Sequence, residues 1–120
     1  MLEELVTISK FLSLGEAKLA QGKLVSAAAS KTMREIFESP DIPHDDIKFV
    51  HALKDRSGVQ MIRKWGSWED WFHDCAVVTA PGRHYILVAL TKHPKGDEYL
   101  VDLATAVDDH MIGLAGGSNP

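Results

Sequence analysis

The sequence predicts a fold of the α/β class, of α+β type: a three-stranded antiparallel sheet flanked by N-terminal helices and a C-terminal helix, in the order α-α-α-β-β-β-α. Three observations carry this. Apolar residues recur at helical spacing until about Leu53, the period becomes extended from Ser57-Gly58 onward, and a helical stripe returns after Asp97. The links between the extended segments are too short for a crossover, so the strands must be antiparallel.

Each element has its own signal. Leu5, Ile8, Leu12 and Leu19 mark a first helix ending near Ala20, and Gln21-Gly22-Lys23 reads as its stop, with Gly at C′. Ser26 is the expected N-cap of a second helix carrying Ala29, Met33, Ile36 and Phe37 on one face. Pro40 ends it, and Asp41-Ile42-Pro43-His44 forms a stiff connector. Asp45 or Asp46 should cap a short third helix with Ile47, Val50 and Leu53 as its apolar positions.

Val59 to Lys64 reads as the first strand, followed by an aromatic, turn-rich segment from Gly66 to His73. A second strand is expected from about Asp74 to Thr79. Ala80-Pro81-Gly82-Arg83 is a turn with a mechanism: Pro sets φ at its second position and Gly tolerates positive φ at its third. The third strand, His84 to Thr91, contains the unbroken apolar run Tyr85 to Leu90, which predicts burial on both faces. After His93-Pro94-Lys95-Gly96, a last helix should align Leu100, Leu103, Val107, Met111 and Leu114 in one stripe. Residues 1–115 then form one domain and 116–120 a fraying tail.

Composition narrows the function classes. The 120 residues fit one domain with a modest core. A net charge of −4 with scattered Lys and Arg is unsuited to nucleic-acid backbones. No stretch reaches the length of a membrane span, and the acidic start Met1-Leu2-Glu3-Glu4 is unlike a secretory signal, so a cytoplasmic location without membrane contact is expected. Cys75, the single cysteine, lies in an apolar run and reads as a core residue. The six histidines show no ligand-pair spacing, so no metal or other cofactor is expected. Glu69-Asp70, Asp45-Asp46 and Asp108-Asp109-His110 read as solvated turns, caps and helix surface.

Arg63-Lys64-Trp65-Gly66-Ser67-Trp68, the strands that follow and the C-terminal helix resemble the Lys-Thr/Ser-Gly strand and C-terminal portion of the penicillin-recognising, class A β-lactamase-like serine hydrolases. The resemblance is strongest from Met61 to Met111. Upstream, Leu19 to Ser26 looks like the family's helix-turn-helix before that strand. In the family the strand lysine organises proton traffic near a serine nucleophile, the next hydroxyl helps bind the substrate carboxylate, and the strand edge supplies an oxyanion donor.

By that resemblance Lys64 and Gly66 match, with Lys64, Trp65, Gly66, Ser67 and Trp68 as the ligand-binding candidates. Trp65 stands where the hydroxyl residue belongs and should obstruct or rebuild the carboxylate pocket. Ser67, further along the strand, could partly substitute for it, although adjacent strand residues project to opposite faces. The nucleophile motif Ser-x-x-Lys occurs nowhere in these residues, Thr7-Ile8-Ser9-Lys10 has Thr in the wrong place, and no Ser-x-Asn is found. No catalytic residue is therefore assigned. The expectation is a β-lactamase-like serine hydrolase domain that is truncated and non-catalytic alone, acting as a binding or assembly module. The alternative is part of a β-lactam or ester hydrolase whose nucleophile lobe lies on a missing segment or another chain. A chance match in an unrelated binding protein is disfavoured by the length of the resemblance.

Two further expectations follow. Trp65, Trp68, Trp71 and Phe72 around His73-Asp74 could form an aromatic cleft or cover a sheet end or interface. His73-Asp74 itself reads as a charged turn before a strand. In the family, two strands from the far N-terminus complete the sheet, and the resemblance places them beside His84–Thr91. Without them that edge and the helix bearing Leu103, Val107 and Met111 should recruit a second copy or a complementing segment.

Overall fold

The computed structural model describes residues 14–39, 41 and 43–116. Its elements are α1 (14–20), α2 (Ala27–Glu38), α3 (Lys48–Leu53), β1 (Gln60–Trp68), β2 (Trp71–Ala80), β3 (Arg83–Lys92) and α4 (Gly96–Leu114). The order is the predicted one, and the sheet is an antiparallel meander β1-β2-β3. The expected start of the first helix and all of the tail beyond Gly116 lie outside the described residues.

Local chemistry explains the helix ends. α1 closes in a Schellman motif: Lys23 N–H donates to Lys18 O (2.7 Å), Gly22 N–H donates to Leu19 O (3.1 Å), and Gly22 takes the left-handed φ of 72°. Ser26 caps α2 by accepting from the Ala29 N–H at 3.0 Å. The expected cap of α3 is not made. Its N-cap is Ile47, without a side-chain bond, while Asp46 pairs with His51 and Lys54 and Asp45 takes a bond from Trp65. The carboxylate that caps α3 comes from β2 instead: Asp74 Oδ2 accepts from the Phe49 N–H at 3.1 Å.

The sheet separates two apolar layers. Phe49, Leu53, Met61, Ala76, Val78, Leu100 and Ala104 form the core under α3 and α4. Leu19, Ile62 and Val77, with Met33 and Phe37 packed on them, form the layer under α1 and α2. In α2, Ile36 is exposed, so only part of the expected apolar face is used.

The strand buried on both faces is β2, from Asp74 to Val78, and not β3. Helices do cover both sides of β3, since Tyr85 and Leu87 pack on one core and Ile86 on the other. But β3 pairs with β2 alone among the described residues, and as an edge strand its apolar run is mostly half-buried. β1 and β2 are longer than predicted. The aromatic segment is not a loop: Ser67 pairs with Phe72 and Trp68 with Trp71, around the two-residue turn Glu69-Asp70 with Glu69 at φ 52°. The Pro81-Gly82 turn forms as expected, with Gly82 at φ 78°.

α4 also differs from its predicted stripe. Leu100, Ala104 and Asp108 face inward, whereas Leu103 and Leu114 are exposed. The helix starts at a buried glycine: a Cβ on Gly96 would lie 2.6 Å from Phe72 Cδ2 and 2.7 Å from Thr91 Oγ1. Gly96→Ala is expected to destabilise the protein by about 1–3 kcal/mol through overpacking, read as a lower urea midpoint at unchanged slope.

Candidate functional site

Strand alternation divides the Arg63–Trp68 run between the two faces of the sheet. Lys64, Gly66 and Trp68 share the α1/α2 face with their cross-strand partners Cys75, His73 and Trp71. Arg63, Trp65 and Ser67 share the α3/α4 face with Ala76, Asp74 and Phe72. The five sequence candidates are thus two groups back to back.

On the α3/α4 face the organising residue is Lys48, which sequence reasoning passed over. Its side chain is fully buried, and its backbone sits in the left-handed region at φ 55°, uncommon for a residue with a side chain. The Nζ donates to Ser67 Oγ (2.6 Å) and to Gly66 O (3.1 Å), lies 3.7 Å from Asp97 Oδ1, and stands 4.3 Å from the centre of the Trp65 ring. Burial lowers the Lys48 pKa, with Asp97 and Asp74 pulling the other way. The signal available in the sequence was a single lysine in the otherwise apolar run Ile47 to Val50.

Trp65 is pinned on the same side. Its Nε1 donates to Asp45 Oδ2 at 2.9 Å, so the indole is drawn away from the face that carries Lys64. Ser67, held by Lys48, is likewise turned from Lys64. Ser67 thus shares the face of Trp65, where its Oγ is engaged by Lys48 Nζ.

Behind Trp65 lies the most buried ion pair of the chain's described part. Arg63 Nε and Nη2 donate to both oxygens of Asp74 at 2.9–3.1 Å, while Nη1 and Nη2 donate to Asp45 O and Ile47 O at 2.9 Å. Asp74 is not in a turn before a strand. It lies inside β2, where it caps α3 and neutralises Arg63. His73, its neighbour, points to the opposite face and accepts from the Thr91 N–H at 3.3 Å, so the two make no imidazole–carboxylate pair.

On the α1/α2 face Lys64 is exposed, and its Nζ donates to Trp65 O at 2.7 Å. Beneath it, Cys75 donates through Sγ to Lys64 O at 3.2 Å. The Cys75 thiol is buried, pushed up to about 12 chiefly by desolvation and next by Glu16, so burial favours the neutral thiol. The aromatic residues do not converge. Trp65 and Phe72 flank Lys48, Trp71 meets His73 edge-on at 5.9 Å with Lys92 over its ring, and Trp68 is 73% exposed. Among the described residues no group of three or more His, Cys, Asp or Glu is placed to hold a metal ion.

The described residues thus form an α+β domain in which a lysine-bearing strand, an antiparallel meander and a C-terminal helix pack together. The sequence profile of the Beta-lactamase enzyme family matches residues 7–111, most of the chain, so this protein belongs to that family. No curated protein and no solved structure matches the chain.

Proposed function

We propose that this chain is the Lys64-bearing part of a β-lactamase-like serine hydrolase fold, inert toward β-lactams by itself and acting as a binding or assembly module. Family membership over residues 7–111 supports the first half of that reading. The observation that carries the second is the separation at β1. Lys64 reaches solvent on one face, while Ser67, the nearest serine along the strand, is turned to the other and donated to by Lys48. These 120 residues contain no Ser-x-x-Lys, the motif whose serine the family's strand lysine would serve. A nucleophile supplied by another segment or chain would complete a β-lactam or ester hydrolase around the same lysine.

Pure protein is expected to give no turnover of a chromogenic β-lactam or an activated ester above buffer. Turnover that disappears in Lys64→Ala would overturn the non-catalytic reading. Turnover that appears only when a Ser-x-x-Lys lobe is added would place the chain in a split hydrolase.

The assembly half of the proposal rests on β3 and α4. β3 offers an outer edge that no described strand occupies, and α4 presents Tyr99, Leu103 and Leu114 to solvent, with Val107 and Met111 half-buried beside them. A second copy, or a complementing segment, added at that edge would satisfy backbone groups and cover the apolar strip together. Light scattering after size exclusion is expected to give a dimer at micromolar protein, reduced to monomer by Leu103→Glu combined with Val88→Pro. A monomeric wild type that also fails to bind an added complementing strand would count against this surface.

A further inference from the structure

α1, α2 and β1 enclose a cavity of about 250 Å³ that opens beside the exposed Lys64. Its walls are apolar: Leu19, Leu24, Met33, Phe37 and Ile62. Arg63, Lys64 and Cys75 also line it, and one carboxyl group joins them. Glu16 lies at the cavity, and its Oε2 is buried without a hydrogen-bond partner among the described residues. A carboxylate oxygen left in that state costs about 1–3 kcal/mol, more when charged, so it is an acceptor waiting for a donor.

The surrounding charges choose the donor. From β2 the groups facing Glu16 are Cys75, a buried thiol, and Asp74, an anion acting through the sheet. From β1 it is Lys64, whose Nζ is engaged at Trp65 O, while the Arg63 guanidinium lies on the opposite face at Asp74. α2 supplies Met33 and Phe37. Among the described residues no cation reaches the open oxygen, and Asp74 repeats its sign. A hydrogen-bond acceptor of negative character at the end of an apolar cavity is complementary to an ammonium on a short hydrocarbon chain.

We propose that this cavity is a binding site for a small aliphatic amine, with the ammonium on Glu16 Oε2 and the alkyl chain among Leu19, Leu24, Met33, Phe37 and Ile62. The site stands apart from the hydrolase reading, since neither a nucleophile nor a partner chain enters it. Burial raises the Glu16 carboxyl to about 7, with Asp74 adding to the rise and Cys75 opposing it. The amine must therefore bind more tightly as pH rises through that value, because the carboxylate forms while the amine keeps its proton.

The test is a titration of the full chain with n-hexylamine, followed through the methionine methyl resonances. At about pH 8.5, where an alkylamine is still protonated, the Met33 methyl is expected to shift saturably while Met61 and Met111 stay fixed. Glu16→Gln should weaken binding at least about tenfold, the value of one charge-assisted hydrogen bond. Lowering the wild type to about pH 5.5 should weaken it similarly, and at about pH 8.5 n-hexanol and hexanoate should bind less well than the amine. A stationary Met33 methyl overturns the proposal, as does equal binding of amine and alcohol. The ligand and pH comparisons need only the wild type, so they decide the matter even if Glu16→Gln fails to fold.

Discussion

Arg63→Ala is expected to cost about 3–5 kcal/mol, a large share of the 5–15 kcal/mol typical of a folded domain. The guanidinium joins three parts of the chain: Asp74 in β2, and the carbonyls of Asp45 and Ile47 that lead into α3. Its loss leaves an unpaired carboxylate and two carbonyls buried where water does not reach. Asp74→Ala should be as severe, because it frees a buried cation and removes the N-terminal cap of α3. Removing both charges with apolar replacements should cost less than the sum of the two single changes, since neither then strands the other. Urea titrations of the four proteins measure this directly. Additive losses would mean that the pair contributes little as a pair.

Asp108→Ala should be comparably damaging at the other end of the molecule. This carboxylate, buried on α4, accepts from Arg83 Nε (2.7 Å) and Nη2 (2.9 Å), Arg56 Nη1 (2.8 Å) and Tyr85 O–H (2.7 Å). It ties the start of β3 and the turn after α3 to the last helix. The expected loss is about 3–5 kcal/mol, with Arg83 left charged and nearly buried. Burial on its own would raise the Asp108 pKa, but the donations from Arg83, Tyr85 and Arg56 outweigh it and hold the carboxyl below its ordinary 3.8. A depressed acid stabilises the fold at every pH above its unfolded value, and that contribution disappears as pH falls through the folded one. The wild type should therefore lose stability on acidification below about pH 4, and Asp108→Asn, weaker throughout, should lose less over the same range. A variant with the wild-type acid limb would show that Asp108 does not carry it.

Both hubs show what a sequence reveals and what it conceals. Order, strand count and antiparallel pairing were legible because they depend on local signals: the Schellman glycine Gly22, the Ser26 cap, the Pro81-Gly82 turn and the change of hydrophobic period at Ser57-Gly58. The long hairpin was hidden because Gly66, Ser67 and two tryptophans resemble a loop in isolation, and only cross-strand pairing makes them a ladder. The polar residues of the interior were hidden for a related reason. Asp74, Asp108, Lys48 and Arg63 look like surface charges, and each is buried because its partner arrives from 11 to 52 positions away. The likeness at Lys64-Trp65-Gly66 was legible as a motif. That Trp65 and Ser67 turn away from Lys64, toward Asp45 and Lys48, required the fold.

Intact-mass measurement after incubation with a slowly deacylating β-lactam tests most directly whether this lysine strand works without a nucleophile. The expected spectrum shows the unmodified chain alone, in wild type and in Lys64→Ala alike. A stoichiometric acyl adduct on any serine of the wild-type chain, absent from Lys64→Ala, would contradict it.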